Sequence, residues 1–337
     1  MSSITVLGSG AWGTAIALSL AAKPEHQITL WSHRAQAYEA LNHDRENRRF
    51  LPGFRFPDSL RVTANDNVAL SDAEIIVSVI PSEFLRSTIT RLAPYLSSNQ
   101  VLVSATKGIE DHTFLRMTEV IESALTGSAK SIPVAALSGP SFAQEVAAAM
   151  PTAVTIAFED QAVAAKVQQA FSSSTLRLYT NDDLIGVELG GALKNVIAIA
   201  AGVLAGLGLG SNSAAGLITR GIAEITRLAV AAGGRRETLA GLSGVGDLVL
   251  TCTGSLSRNR TVGFELGQGR NLAEILASLD GKVAEGVRTT RAALGLARKL
   301  NVEMPITEQM GQILDQGKDP KAAVRDLMLR PGRHEED

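Results

Sequence analysis

The sequence has few of the residues that build disulfide, metal or nucleic-acid sites. Cys252 is the one cysteine in 337 residues, which excludes an internal disulfide and a thiolate metal cluster. Five scattered histidines include no His-x-x-x-His pair, so we expect no metal site. A net charge of −2 supplies neither a basic field for nucleic acid nor a polybasic patch for a membrane surface. We therefore expect no metal and no nucleic-acid partner.

Long apolar runs are also scarce. The most apolar stretch, 196–210, is uncharged, but it has 15 residues and is interrupted by glycines. A membrane span needs about 20 apolar residues, so this stretch predicts a buried core helix and no stable membrane insertion. The first predicted strand starts at residue 4, which leaves no room for a signal peptide. We expect a cytoplasmic protein.

What is present is the composition of an ordinary globular chain, with 45% hydrophobic and 20% charged residues. In the first half, strand-like segments alternate with helical or loop segments such as 11–22 and 114–125, which predicts an α/β doubly wound parallel sheet with right-handed crossovers. The strand candidates are 4–7, 27–31, 75–80, 101–104, 134–137, 153–157 and 176–179.

The pattern changes after residue 181. Asn181, Asp182 and Asp183 can cap a helix, and from residue 184 to about 329 the chain is nearly all helical. The length suits two domains, so we divide the chain into a dinucleotide-binding domain, 1–181, and a helical substrate and catalytic domain, 182–337. The tail 333–337 is expected to be frayed.

A glycine-rich turn, 8–13, lies between the first strand and the first helix. Its spacing fits G-x-G-x-x-G, which seats a dinucleotide pyrophosphate on a helix N-terminus. Gly8 would make the tight turn, Gly10 would let the backbone approach phosphate, and Gly13 would let the helix pack on the strand. A purely structural turn is the alternative, but the flanking strand and helix favour a nucleotide site.

The end of the second strand indicates which dinucleotide binds. NAD-preferring folds carry Asp or Glu there for the ribose 2′-hydroxyl. This chain has Ser32, His33 and Arg34 instead. An arginine can pair with a 2′-phosphate through two donors, which favours NADP(H), with NAD(H) possible. The alternative is that Arg34 is a solvated strand-end residue and both cofactors are accepted.

Polar residues follow two neighbouring predicted strands. Lys107 comes shortly after strand 101–104, and the segment 138–143 follows the next strand. Open α/β sheets bind ligands at this carboxyl edge. The segment is not a G-x-S-x-G nucleophile elbow, because Ala143 stands where glycine would be needed. We interpret it as a substrate or cofactor loop that offers backbone N–H groups and a hydroxyl.

The helical half holds a lysine, Lys194, within an otherwise apolar segment. Gly190 and Gly191 precede it and weaken a helix unless something must approach closely. Lys194 is therefore either a side chain that extends to solvent or a functional group. Desolvation would lower its pKa toward the range that is useful for proton transfer at a carbonyl or hydroxyl.

A second polar cluster comprises 244–247 and 255–260. Its arginine, asparagine and serine residues at a loop–helix junction suit a phosphate group, because they combine charge, forked donors and a helix N-terminus. A solvated basic loop is the alternative.

Together these segments resemble the bacterial NAD(P)-dependent glycerol-3-phosphate dehydrogenases. The resemblance implies a Rossmann-type sheet followed by an all-helical C-terminal domain, as in 6-phosphogluconate dehydrogenase-like folds. The stretch 241–263 is the most specific of the matches. In family order they are GSGAWGTA (8–15), NRRFLPG (47–53), ATKGIE (105–110), LSGPSFAQEV (137–146), ELGGALKNVIAIAAG (188–202), GLSGVGDLVLTCTGSLSRNRTVG (241–263) and AEGVRTT (284–290).

The implied reaction is reversible hydride transfer between sn-glycerol 3-phosphate and dihydroxyacetone phosphate, which supplies the glycerophospholipid backbone. Lys194 resembles the family's proton-transfer residue, and Lys107 and Asp247 complete the implied catalytic set. The resemblance implies substrate contacts for Lys107, Gly139, Ser141, Lys194, Asp247, Ser257, Arg258 and Asn259.

The resemblance also implies a set of cofactor contacts. One departure is visible, because the family often has serine where this chain has Ala11. The backbone N–H groups remain, so we expect weaker pyrophosphate binding at most. The implied contacts are Gly8, Gly10, Ala11, Trp12, Gly13, His33, Arg34, Lys107, Ala143, Arg258, Val283 and Glu285.

Two rival functions stay open at this point. One is another hydroxyacid or phosphosugar dehydrogenase of the same architecture, against which the 241–263 match argues. The other is a non-catalytic NADP(H) sensor, which should lack a proton-transfer residue such as Lys194. The expected partner is a phosphorylated triose, and a homodimer through the helical domain is a further hypothesis.

Overall fold

The computed structural model describes residues 2–128, 131–279, 283–332 and 334–335. Three residues of the tail that the sequence predicts to be frayed, at 333, 336 and 337, lie outside the described residues.

The first half folds around an eight-stranded sheet with the order β10-β9-β8-β7-β6-β1-β2-β5, and a separate hairpin pairs β3 with β4. The order reverses between β1 and β6, which opens a crevice at the carboxyl ends of these strands. The strands are β1 (Ser2–Leu7), β2 (His26–Trp31), β3 (Glu46–Asn47), β4 (Leu51–Arg55), β5 (Leu60–Thr63), β6 (Ile75–Ser78), β7 (Val101–Ser104), β8 (Val134–Ser138), β9 (Thr152–Ala157) and β10 (Leu176–Asn181).

Helices cover both faces of this sheet. Every residue of the central strands β6, β7 and β8 is buried, which explains their unbroken apolar runs. One core cluster includes Val77 and Val103, and the cluster on the opposite face includes Ile76 and Leu102. The helices of this sheet domain are α1 (Ala11–Ala21), α2 (Ala35–Asp44), α3 (Asp66–Leu70), α4 (Ser82–Leu92), α5 (Met117–Leu125), α6 (Ala143–Ala147) and α7 (Gln161–Phe171).

The doubly wound class is confirmed, but the prediction of a wholly parallel sheet is wrong. Strand β9 runs antiparallel to β8, and β10 is parallel to β9. The connection between β8 and β9 contains only the five-residue helix α6. This helix packs against α1, where Ala143 and Val146 share an apolar cluster with Trp12 and Ala15, so no long crossover helix returns the chain for a parallel strand.

The seven predicted strands are all present, with ends that differ by at most two residues. Sequence reasoning missed the edge strand β5 and the hairpin of β3 and β4. These elements are short and partly exposed, so they lack an apolar run.

The second half is helical, with α8 at its centre and α9, α11, α12 and α14 packed around it. Asp183 caps α8 through a 2.8 Å hydrogen bond from the Gly186 backbone N–H, as predicted. The helices of this helical domain are α8 (Leu184–Gly206), α9 (Ser211–Ala231), α10 (Arg236–Leu239), α11 (Asp247–Thr253), α12 (Arg258–Gly267), α13 (Leu272–Ser278), α14 (Glu285–Leu300), α15 (Pro305–Gln316) and α16 (Pro320–Met328).

Helix α8 has 23 residues and is long and apolar enough to cross a membrane by length and composition, yet 89% of its most apolar window is buried inside the protein. The expectation that this segment is too short is wrong, because the helix continues through Glu188 and Lys194. Glutamate and lysine are good helix formers, and ion pairing lets both side chains be buried within the helix. The prediction of a buried core helix is confirmed.

Candidate active site

Two lysines and one carboxylate meet where the carboxyl edge of the sheet faces the helical domain. Lys107 follows β7, Lys194 lies on α8, and Asp247 is the first residue of α11. Lys107 Nζ donates to Asp247 Oδ2 at 2.6 Å, and Lys194 Nζ donates to Asp247 Oδ1. Asp247 is fully buried and Lys194 is 7% exposed. The carboxylate therefore bridges the two ammonium groups away from bulk water.

The environment of Lys194 lowers the pKa of its ammonium group. The pKa of Lys194 is lowered to about 7, chiefly by burial and also by the charge of Lys107, whereas the Asp247 carboxylate opposes the shift. A lysine that titrates near neutral pH can both release and accept a proton there. Burial of this side chain agrees with the functional interpretation of its sequence context.

The paired glycines of α8 explain how this helix comes so close. A Cβ on Gly191 would clash with Ser138 Oγ at the end of β8. A Cβ on Gly190 would lie 2.6 Å from the Ser243 carbonyl oxygen, in the π-helical segment that leads into Asp247. Glycine at both positions thus lets α8 approach the sheet and the start of α11 together.

The loop after β8 brings a further acceptor to Lys107. The Gly139 carbonyl oxygen accepts from Lys107 Nζ at 3.3 Å and from Ser141 Oγ at 3.0 Å. Gly139 has φ +138, and a Cβ there would lie 2.9 Å from Val154 Cα, so a larger residue would be strained. The hydroxyl of Ser138 is buried and has no hydrogen-bond partner within the described part of the chain.

The N-terminus of α12 supplies the second polar cluster. Ser257 caps it by accepting from the Arg260 N–H at 3.2 Å, and Arg258 occupies its first turn. Asn259 Nδ2 donates to Asn195 Oδ1 at 2.9 Å, and Asn259 Oδ1 accepts from the Gly286 N–H at 3.0 Å. Among the residues that the structure describes, Asn259 Nδ2 has this one acceptor, so its second hydrogen can bind a ligand. A helix N-terminus with an arginine is suited to an anion.

The dinucleotide turn has the conformation that its glycines predict. Gly8 has φ +116 and lies against the Val79 carbonyl oxygen, 2.9 Å from its ideal Cβ position. A Cβ on Gly13 would clash with the Gly8 carbonyl oxygen, whereas nothing lies within 4 Å of the Cβ position of Gly10. Gly10 therefore presents open backbone at the start of α1, whose first two residues are Ala11 and Trp12. This cradle fits a pyrophosphate.

The end of β2 carries two exposed basic residues, His33 and Arg34, joined by a 3.2 Å hydrogen bond from Arg34 Nε. Partial burial, then the charges of Arg34 and Arg91, lower the pKa of His33. Sequence reasoning found no carboxylate here, but Asp66 of α3 is close by. Asp66 accepts a hydrogen bond from Trp31 Nε1 at 3.0 Å and forms an ion pair with Arg91, which neutralises its carboxylate.

The basic strand end and the lysine pair lie at opposite ends of one crevice. Strands β7, β6, β1 and β2 are consecutive in the sheet, so three strand spacings, about 14 Å, separate their ends. The glycine turn after β1 lies between them. This is the length over which an extended dinucleotide can lie along the sheet edge.

Glu285 at the start of α14 reaches the sheet domain. It accepts from the Ser82 N–H at 3.3 Å and from Ser82 Oγ at 2.7 Å, at the first residue of α4. Burial raises the pKa of Glu285, although these two hydrogen bonds oppose the shift. Val283 is half-buried just before it. Nothing in the amino-acid pattern indicates Ser82 as the partner of Glu285.

A second buried carboxylate, Glu188 on α8, was also missed as a contact between the domains. Its oxygens accept from Arg116 Nη1 at 2.6 Å, from the Thr118 N–H at 2.9 Å and from Thr118 Oγ1 at 2.6 Å. Burial raises the pKa of Glu188, and the Arg116 charge opposes the rise. A glutamate inside an apolar helix was the signal that could have identified it.

Cys252 is buried on α11, and burial raises the pKa of its thiol to about 12. In the described ranges, no three side chains of histidine, cysteine, aspartate or glutamate come together as metal ligands would.

Comparison with known proteins agrees with this geometry. Residues 3–164 match the family model of the NAD-dependent glycerol-3-phosphate dehydrogenase N-terminus, and residues 183–325 match that of its C-terminus. The chain is 62% identical over 338 residues to glycerol-3-phosphate dehydrogenase (NAD(P)+) of Acidobacterium capsulatum, covering 99% of this chain and 100% of the relative. It is 56% identical over 335 residues to the enzyme of the same name from Koribacter versatilis, covering 99% of both chains.

A solved structure is similar over the whole length. The crystal structure of glycerol-3-phosphate dehydrogenase from Coxiella burnetii superposes with a TM-score of 0.93 at 40% identity, covering 98% of this chain and 99% of that one.

Proposed function

Because the chain belongs to the NAD-dependent glycerol-3-phosphate dehydrogenase family, we propose how its own residues carry out the family reaction. It is an NAD(P)-dependent oxidoreductase that acts on a CH–OH group and interconverts sn-glycerol 3-phosphate and dihydroxyacetone phosphate. The observation that carries the proposal is the buried bridge from Lys107 through Asp247 to Lys194. It supports the proposal that Lys194 transfers a proton beside the edge of the sheet that binds the dinucleotide.

Lys194 is the proposed acid and base. In the reducing direction, its protonated form donates to the ketone oxygen of dihydroxyacetone phosphate and stabilises the developing alkoxide. In the oxidising direction, its neutral form takes the proton of the C2 hydroxyl. A pKa of about 7 leaves both forms populated near neutral pH. Lys107 adds positive charge, and Asp247 orients both ammonium groups.

The proposed phosphate subsite is the N-terminus of α12. Arg258 supplies charge and forked donors, Ser257 lies at the cap, and Asn259 holds the helix against α8 and α14. Binding the phosphate there provides energy remote from the reacting carbon, which holds C2 in place. Gly139 and Ser141 are proposed to contact the other end of the substrate.

The proposed dinucleotide site follows the crevice from the glycine turn to the end of β2. The N–H groups after Gly8 would hold the pyrophosphate, and His33 and Arg34 would contact the adenosine end. NADPH, when bound, supplies the hydride for reduction. Two exposed basic residues at the strand end support a preference for the 2′-phosphate of NADP(H), with NAD(H) also used. Trp12, Ala143, Val283 and Glu285 are the remaining proposed contacts.

One assay tests the function. NADPH and NADH oxidation is followed at 340 nm with dihydroxyacetone phosphate, and other hydroxyacid and phosphosugar substrates serve as comparisons for the rival function. We expect turnover with dihydroxyacetone phosphate. Oxidation of neither cofactor would reject the proposed function.

A lysine substitution tests the mechanism. Lys194→Ala should abolish turnover while NADPH affinity, measured by fluorescence titration, stays nearly unchanged. Lys166→Ala, on the exposed face of α7, is the matched control and should stay active. An active Lys194→Ala variant would refute the role of this lysine as the acid and base.

Three further proposals concern the whole protein. The enzyme acts in the cytoplasm, where its product supplies the glycerophospholipid backbone, and its domains divide between residues 181 and 182.

It forms a homodimer through the helical domain, for which the exposed Val249, Leu256 and Phe264 offer apolar surface. Sedimentation equilibrium tests the assembly, and a monomer at micromolar concentration would reject it.

A further inference from the structure

The segment 47–53 forms most of the β3–β4 hairpin and has no role in the mechanism above. Its first residue, Asn47, is 3% exposed although it is polar. Asn47 Nδ2 donates to the Ser9 carbonyl oxygen at 2.8 Å and to Thr14 Oγ1 at 2.8 Å. Its Oδ1 accepts from the Phe50 N–H at 3.2 Å, which fixes the orientation of the amide. A side chain of the hairpin is thus bonded to both ends of the segment that opens α1.

The bond to Ser9 sets the direction of the next N–H group. A trans peptide is planar, so the carbonyl of Ser9 and the N–H of Gly10 point in opposite directions. Because Asn47 holds the Ser9 carbonyl on the hairpin side, the Gly10 N–H is directed away from the hairpin. The Cβ position of Gly10 has no neighbour within 4 Å, so this backbone is accessible to a ligand.

The other parts of the turn are fixed independently. The Gly8 N–H donates to the Trp31 carbonyl oxygen at 3.1 Å, and Gly8 packs against Val79. The Thr14 N–H donates to the Gly10 carbonyl oxygen at 3.0 Å, as the first turn of α1 requires. The peptide between Ser9 and Gly10 is therefore held from outside the turn by Asn47.

We propose that Asn47 is a positioning residue that directs the Gly10 N–H toward the pyrophosphate of the dinucleotide. It acts through Ser9 and Thr14 and sets cofactor affinity, not the chemical step. The proposal rests on the proposed function only in requiring that a dinucleotide binds at this turn.

The test is Asn47→Asp, which is nearly isosteric and keeps an acceptor for the Phe50 N–H. It removes the donor and places a carboxylate against the Ser9 carbonyl oxygen. We expect the Kd of NADPH to rise roughly tenfold, equivalent to about 1.4 kcal/mol. At saturating NADPH, kcat and the KM of dihydroxyacetone phosphate should not change. Adenosine 2′-monophosphate, which lacks a pyrophosphate, should bind both proteins equally.

The matched control is Glu46→Ala in the same hairpin. Glu46 Oε1 accepts from the Gly53 N–H at 2.8 Å, so this change loosens the hairpin without touching the glycine turn. Its NADPH affinity should not fall. Equal NADPH affinity of Asn47→Asp and the unmodified enzyme would overturn the proposal, and so would equal losses in both variants. Failure of the unmodified enzyme to bind NADPH would instead reject the proposed function.

Discussion

Replacing Asp247 with asparagine tests the electrostatics of the site most directly. The change keeps the size and one acceptor of the side chain, but it removes the charge that both Lys107 and Lys194 contact. Two ammonium groups would then face each other in a buried site without a carboxylate between them. The protonated form of Lys194 should become less stable, so its pKa should fall below about 7.

The size of the fall follows from the contact. Two unit charges about 4 Å apart interact by about 4 kcal/mol at an effective dielectric constant near 20. One pKa unit corresponds to about 1.4 kcal/mol, so the upper limit is roughly three units. Water entry and relaxation of Lys107 would reduce this value. We expect the pKa of Lys194 to fall by roughly one to three units in Asp247→Asn.

The measurement is kcat/KM for dihydroxyacetone phosphate between about pH 5 and 9 at saturating NADPH, because this ratio reports the enzyme before substrate binds. In the proposed mechanism reduction needs protonated Lys194, so the rate of the unmodified enzyme should fall as the pH rises through about 7. As the pH rises, the activity of Asp247→Asn should begin to fall at a lower pH than that of the unmodified enzyme. Titration of the substrate phosphate is common to both profiles, so the readout is the difference between their midpoints.

Asp315→Asn is the matched control. Asp315 is a surface carboxylate of the same domain, paired with Arg291 and remote from the lysines. Its profile should match that of the unmodified enzyme. An unchanged midpoint in Asp247→Asn, or a midpoint at higher pH, would refute the electrostatic reasoning.

Three other changes test separate parts of the molecule. Arg34→Asp should move the ratio of kcat/KM for NADPH and NADH toward NADH by roughly tenfold, since a carboxylate repels the 2′-phosphate; an unchanged ratio would mean that Arg34 is merely solvated. Gly191→Ala should lower kcat and Tm, and adding Ser138→Ala should restore both, because the new methyl group would clash with Ser138 Oγ; no recovery would contradict this packing. Arg116→Met should cost about 3–5 kcal/mol in urea unfolding by leaving Glu188 buried and unpaired, and a loss below 1 kcal/mol would argue against the pair.

The central sheet was predictable because burial on both faces leaves a continuous apolar run in the sequence. Strands β6, β7 and β8 are of this kind. The direction of β9 was not predictable from its own residues. It depends on whether α6 packs over the sheet or against α1, and that is decided by packing between α6 and α1, which are distant in sequence.

Residues of the site could be identified singly but not as a network. Lys194 stood out because a lysine in an apolar helix needs an explanation, and Lys107 because it follows a strand. Nothing in their spacing could indicate that Asp247 contacts both, since it is 53 residues from Lys194 and 140 from Lys107. The same holds for Asp66, whose contact with Trp31 places a carboxylate where the sequence had indicated none.

Three carboxylates of the helical domain reach the sheet domain, and together they explain why the lysines meet. Glu285 and Glu188 accept from the first turns of α4 and α5, so they fix the position of the helical domain against the sheet. Between them, Asp247 can contact both Lys107 and Lys194. With both lysines protonated, Lys107, Lys194 and Asp247 together carry a net charge of +1. The alkoxide that develops during reduction compensates this excess most strongly in the transition state, which is where electrostatic stabilisation accelerates the reaction.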